Sequence, residues 1–99
     1  MLTVKIIPNE KRSPTGKLAD AELHFNGGPL EGLKLIGFAI WERRSGTGRN
    51  VIFPARQYSV NGEMRSFALL RPVEDANAQE RVRNMILEAY AEHEKRENA

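Results

Sequence analysis

Asn61-Gly62, set between two runs of alternating apolar and polar residues, limits what this chain can fold into more than any other feature. The run Val51 to Phe67 reads as a strand, a tight turn and a returning strand. Asn-Gly suits a two-residue type I′ turn, because both central residues need φ > 0 and that turn matches the twist of the flanking strands. Counting outward from the turn predicts Val60 opposite Glu63, Tyr58 opposite Arg65 and Arg56 opposite Phe67. Side chains alternate along a strand, so Arg56, Tyr58, Arg65 and Phe67 share one face. Arginines interleaved with aromatics on a sheet suit a phosphate backbone with stacked bases. The same residues also make ordinary cross-strand packing, and Phe67 is expected to turn toward the core.

The rest of the chain supplies a sheet and a helix. Leu2 to Ile7 reads as a first strand with Leu2, Val4 and Ile6 on one face. Residues 8–16 are a loop by their turn chemistry. Leu18 to Phe25 is a second strand, with Ala19, Ala21, Leu23 and Phe25 alternating against Asp20, Glu22 and His24, and Asn26-Gly27-Gly28-Pro29 ends it. Leu33 to Trp41 is a third strand, apolar on both faces: Leu33, Leu35, Ala39 and Trp41 on one, Ile36, Phe38 and Ile40 on the other. Such a strand belongs in the middle of a sheet covered on both sides. A basic loop, Arg43 to Asn50, leads into the hairpin, which is expected over about Val51 to Leu70. After Arg71-Pro72 the period changes to that of a helix, and Val82, Met85, Ile86, Ala89, Tyr90 and His93 form one stripe. Asn77 with Glu80 approximates a capping box, and Asp75 offers another start. Arg81, Arg83, Glu88, Glu92 and Arg96 are expected on the outer face.

The expectation is therefore one α+β domain over residues 1–99, with a sheet in 1–70 and a helix in 75–97. The sheet is antiparallel, of four to five strands. At 99 residues the core is modest. One helix covers one face of such a sheet, so the second apolar face of the third strand calls for a long loop or another subunit. The subunit is the favoured reading, which makes a homodimer the expectation, with Trp41 in the core or at the interface.

Charge is uneven. Residues 1–74 hold 11 Lys/Arg against 7 Asp/Glu, whereas residues 75–99 hold 4 against 6. A basic excess over the sheet and an acidic tail are compatible with a polyanion partner, though weaker than the basic stripe of a dedicated DNA-binding domain. Arg43, Arg44 and Arg49, close together on one loop, have the bidentate geometry to reach phosphates. Gly46-Thr47-Gly48 lacks the strand-to-helix setting and trailing lysine of a phosphate loop.

Catalytic chemistry finds no constellation. His24 and His93 lie on different elements and belong to no triad pattern, and Asp20 with Glu22 fits solvated alternation on a strand. No spacing resembles a zinc, calcium or iron site. There is no cysteine, which excludes disulfides and thiolate chemistry and is compatible with a reducing cytosol. No signal-like leader and no apolar run of membrane-spanning length is present, so a cytoplasmic protein without membrane or cofactor is expected.

Three short motifs resemble the SpoVG family of small bacterial regulators: Pro54-Ala55-Arg56, Gly62-Glu63-Met64-Arg65, and the helix segment Met85-Ile86-Leu87-Glu88-Ala89-Tyr90. Leu30 to Ile36 is similar to that family's glycine-flanked apolar strand. Together they span roughly two-thirds of the chain. The chain departs from the pattern in a Pro54-to-Gly62 spacing one residue longer and an enlarged Arg43–Asn50 loop. Gln57 stands where a basic residue is usual, and Ser66 where an acidic one is. The resemblance implies a dimeric α+β fold and non-catalytic binding of DNA or RNA, with Arg56 and Arg65 at the family's basic positions. The interface expected from sequence is thus Arg43, Arg44, Arg49, Arg56, Tyr58 and Arg65. A protein-interaction module recruiting a partner through apolar faces and edge strands is the alternative, and a small-molecule enzyme a more distant third.

Overall fold

The computed structural model describes residues 2–10, 15–43 and 48–97. Strands β1 (Leu2–Pro8), β2 (Lys17–Phe25), β3 (Lys34–Glu42) and β4 (Arg49–Ile52) form an antiparallel sheet in the order β1-β2-β3-β4. Strands β5 (Ala55–Val60) and β6 (Glu63–Ala68) form a separate two-stranded sheet, and helix α1 (Asn77–Glu97) closes the chain. The α+β class and the four-stranded sheet agree with expectation.

The core lies between one face of the large sheet and α1. Ala19, Ala21 and Leu23 of β2, Phe38 and Ile40 of β3, and Val51 of β4 are buried with Ile86 and Tyr90 of the helix. Leu2, Val4 and Ile6 extend this layer across β1. Small alanines on β2 leave room for the helix to approach the sheet. At the start of α1, the Asn77 backbone N–H donates to Asp75 Oδ1 at 2.9 Å, and Gln79 ties the first turn to the Leu70 carbonyl. Of the two starts offered by the sequence, Asp75 is the one that caps the helix, and not the Asn77–Glu80 pair. That bond, then the neighbouring Arg81 guanidinium, lowers the Asp75 carboxyl below its ordinary range.

The third strand corrects the expected alternation. Ala21 pairs with Phe38 but Leu23 pairs with Leu35, so Ile36 and Gly37 together oppose Glu22 as a β-bulge. The extra residue shifts the phase: Leu35 joins Phe38 and Ile40 toward the helix, and Ile36 turns to the other face with Ala39 and Trp41. Gly37 holds φ at +104° there, a region open to glycine at little cost.

The expected Val51–Leu70 hairpin is divided. Val51 and Ile52 belong to the large sheet, and pairing resumes only at Ala55. Pro54 is the cause, since it lacks an N–H for the ladder and fixes its own φ. Beyond it, residues 55–67 are all exposed on both faces of the ribbon. Neither face is covered, so β5 and β6 stand off the body as an arm. Phe67, expected near the core, is 38% exposed on this arm. The radius of gyration, 15.0 Å, exceeds the ~13 Å of a compact domain of ~100 residues for the same reason. Arg83, expected to be free in solvent, is half-buried, with its guanidinium 5.1 Å from the centre of the Phe53 ring and paired with Glu80.

Candidate nucleic-acid interface

The arm is built by its turn. Asn61 and Gly62 hold φ at +52° and +83°, as a type I′ turn requires. The register is the one counted from sequence: Val60 opposite Glu63, Tyr58 opposite Arg65, Arg56 opposite Phe67. Its base is fixed to the body by the Leu69 N–H, which donates to the Pro54 carbonyl at 2.9 Å.

One face of the arm thus gathers two arginines and two rings. Tyr58 and Phe67 lie 5.6 Å apart between ring centres, tilted by 54°. Arg56 enters no ion pair among the described residues, and Arg65 reaches Glu63 at 3.5 Å with both side chains largely in solvent. An exposed pair of that length holds its arginine weakly, so both guanidiniums are available to an anionic partner. The opposite face carries Ala55, Gln57, Ser59, Met64, Ser66 and Ala68, all uncharged, with Met64 the one large apolar side chain.

The loop arginines are placed elsewhere. Arg49, at the start of β4, pairs with Glu94 of α1 and lies 5.3 Å from the centre of the Tyr90 ring. Its Nε is buried with no hydrogen-bond partner among the described residues. It is a clamp between β4 and the helix, half withdrawn from solvent. Arg43 is exposed and its Nε donates to the Arg49 carbonyl at 3.4 Å. Arg44 lies outside the described residues. The β3–β4 connection and the arm leave opposite ends of β4, so Arg43 and Arg49 do not join Arg56, Tyr58 and Arg65 on one surface. Phe67 does: the sequence placed it on this face but turned it toward the core, and it stays on the surface of the arm. The cross-strand register that placed it beside Arg56 was the available signal.

The face of the large sheet turned away from α1 is a second surface that no element covers among the described residues. Its β3–β4 side is apolar: Ile36 and Ile52 are 58% and 48% exposed, and Trp41 and Ala39 are half-buried. Its β1–β2 side is ionic. Glu22 lies 2.9 Å from His24 Nε2 and 3.3 Å from Lys34 Nζ. The hydrogen bond with His24, reinforced by Lys34, lowers the Glu22 carboxyl below its ordinary range.

Among the described residues no group of His, Asp and Glu is arranged to hold a metal ion, and no helix is long and apolar enough to cross a membrane. No family model, curated protein or solved structure matches the chain.

Proposed function

We propose that this chain is a non-catalytic nucleic-acid-binding regulator of the kind its SpoVG-like motifs imply, with the β5–β6 arm as its reading element. The observation that carries this is the freestanding ribbon whose one face presents Arg56, Arg65, Tyr58 and Phe67. A two-stranded ribbon has the width to enter the major groove of duplex DNA. The arginines neutralise phosphates, and the two rings stack against unpaired bases where the strand is single. Arg43 adds a contact only if the nucleic acid extends past the arm.

The apolar strip of Ile36, Ala39, Trp41 and Ile52 favours a homodimer closed through the uncovered sheet face. A dimer would carry two arms and double the footprint, which matters because two arginines per chain make few phosphate contacts. The same exposed residues, with Val60 and Met64 on the arm, are the support for the alternative of a protein-interaction module.

Titration of labelled duplex and single-stranded oligonucleotides at two salt concentrations separates the readings. Log affinity should fall with log salt by about 0.9 for each duplex phosphate neutralised. Arg56→Ala and Arg65→Ala should each weaken binding and flatten that slope. Absence of binding at low salt, or an unchanged slope in both variants, leaves the interaction module as the reading.

A further inference from the structure

β1 is an edge strand. It pairs with β2 along one side, and among the described residues no strand is added on its other side. A cavity of about 590 Å³ lies there, lined by the consecutive residues Thr3, Val4, Lys5 and Ile6 of β1 together with Ala89, Glu92, His93 and Arg96 of α1, and by His24. Side chains alternate along a strand, so a pocket opening on one face of β1 would meet every second residue. Four in succession mean that the groove runs along the backbone edge, with the C-terminal half of the helix as its wall. Its size is that of ligand-binding clefts, about 300–1,000 Å³.

We propose that this groove binds an extended acidic peptide, which adds to β1 as a fifth strand beside α1. The open edge offers a row of backbone N–H and C=O groups, and strand addition is a recurrent way of meeting them. Charge selects the occupant. Lys5 and Arg96 are exposed and enter no ion pair among the described residues, and Glu92 is the one carboxylate among the described lining residues. A second copy laid antiparallel on the same edge would set Lys5 and Arg96 of each chain near those of the other, and an edge lysine is a common guard against that pairing. An acidic segment meets both cations instead. Val4 and Ile6, half-buried beneath, and Ala89 on the helix wall give its apolar side chains a place to rest. The site uses nothing of the arm and stands whether or not the arm binds nucleic acid.

The test uses a fluorescein-labelled octapeptide of alternating glutamate and valine against the full chain. Saturable binding is expected, with amide hydrogens at alternate β1 residues becoming protected from exchange. The matching lysine–valine peptide should bind at least about tenfold more weakly, and Lys5→Glu with Arg96→Glu should reverse that order. The Arg56→Ala/Arg65→Ala chain should bind the acidic peptide as the parent does. Circular dichroism checks that each variant keeps its helix. Equal affinity for the two peptides overturns the proposal, as does absence of saturable binding or loss of binding in the arm variant. If Lys5→Glu and Arg96→Glu change the sedimenting mass and leave peptide affinity unmoved, the edge belongs to a second copy and the proposal also fails.

Discussion

A Cβ placed on Gly37 would lie 2.9 Å from the Cβ of Pro54. The bulge glycine of β3 and the proline that ends β4 therefore sit against each other, on the sheet face away from the helix. The contact joins two irregularities into one device. The bulge clears space for Pro54, and Pro54, itself buried, turns the chain out of the sheet and into the arm. The Leu69–Pro54 hydrogen bond closes the arm's base at the same point.

Gly37→Ala should accordingly destabilise the fold in two ways. Its φ of +104° is strained for any residue with a Cβ, at a cost of order 1–3 kcal/mol, and the new methyl collides with the proline ring. Urea unfolding of Gly37→Ala, Pro54→Gly and the double variant separates these parts. The double variant should be less unstable than the sum of the two, because it removes the collision while the backbone strain persists. Strict additivity would show that the two residues do not act on each other.

Ile86 and Arg83 lie on the same helix and should behave differently. Ile86 is fully buried against the sheet, so Ile86→Ala leaves a cavity and should cost ~2–5 kcal/mol. Arg83→Ala loses its position over the Phe53 ring, where the side chain is 29% exposed, and should cost about 0.5–1 kcal/mol. A larger loss at Arg83 than at Ile86 in urea melts would mean that the helix is rotated from the phase described.

Much of this was legible in the residues and some was not. The Asn61-Gly62 turn dictated the arm's register, because the turn type leaves one way to pair the flanking residues. The helix stripe from Val82 to His93 held because a period of 3.6 over several turns has few other readings. The phase of β3 was lost at Gly37: strict alternation ran through it, although an isolated glycine in a strand is itself a sign of a bulge. Pro54 likewise marked the division between sheet and arm. That the arm would stand free was not legible, since alternation looks the same in a covered ribbon and a bare one. The capture of Arg49 by Glu94 and Tyr90, and the groove beside β1, arise from where α1 crosses the sheet. Such long-range placement leaves no local trace.

Acid should weaken the fold through Glu22 and Asp75. Both carboxyls are lowered in the folded chain, from ordinary values of 4.5 and 3.8. The folded state thus favours their ionised forms. Their contribution is complete above those ordinary values and is lost as pH falls through the lowered ones. Urea midpoints should decline from about pH 5 to pH 3, and Glu22→Gln should make that decline shallower. An identical acid limb in Glu22→Gln would show that the bonds with His24 and Lys34 add nothing to stability.

The last expectation joins the uncovered sheet face to the arm. If Ile36, Trp41 and Ile52 meet their counterparts across a twofold axis, the parent chain should sediment at twice the single-chain mass at micromolar concentration. Ile36 is 58% exposed in the single chain, so Ile36→Lys should leave the monomer's own fold nearly unchanged, within about 0.5 kcal/mol. In a dimer, however, it places a charge in the buried centre of the interface, which costs several times that. The variant should then sediment as one chain with native circular dichroism. Its salt slope on duplex DNA should fall to about half, because one arm replaces two and the slope counts neutralised phosphates. A parent chain that sediments alone removes the dimer and leaves the arm's affinity to be judged singly. A monomeric variant whose slope equals the parent's would mean that only one arm of the dimer ever touches the nucleic acid.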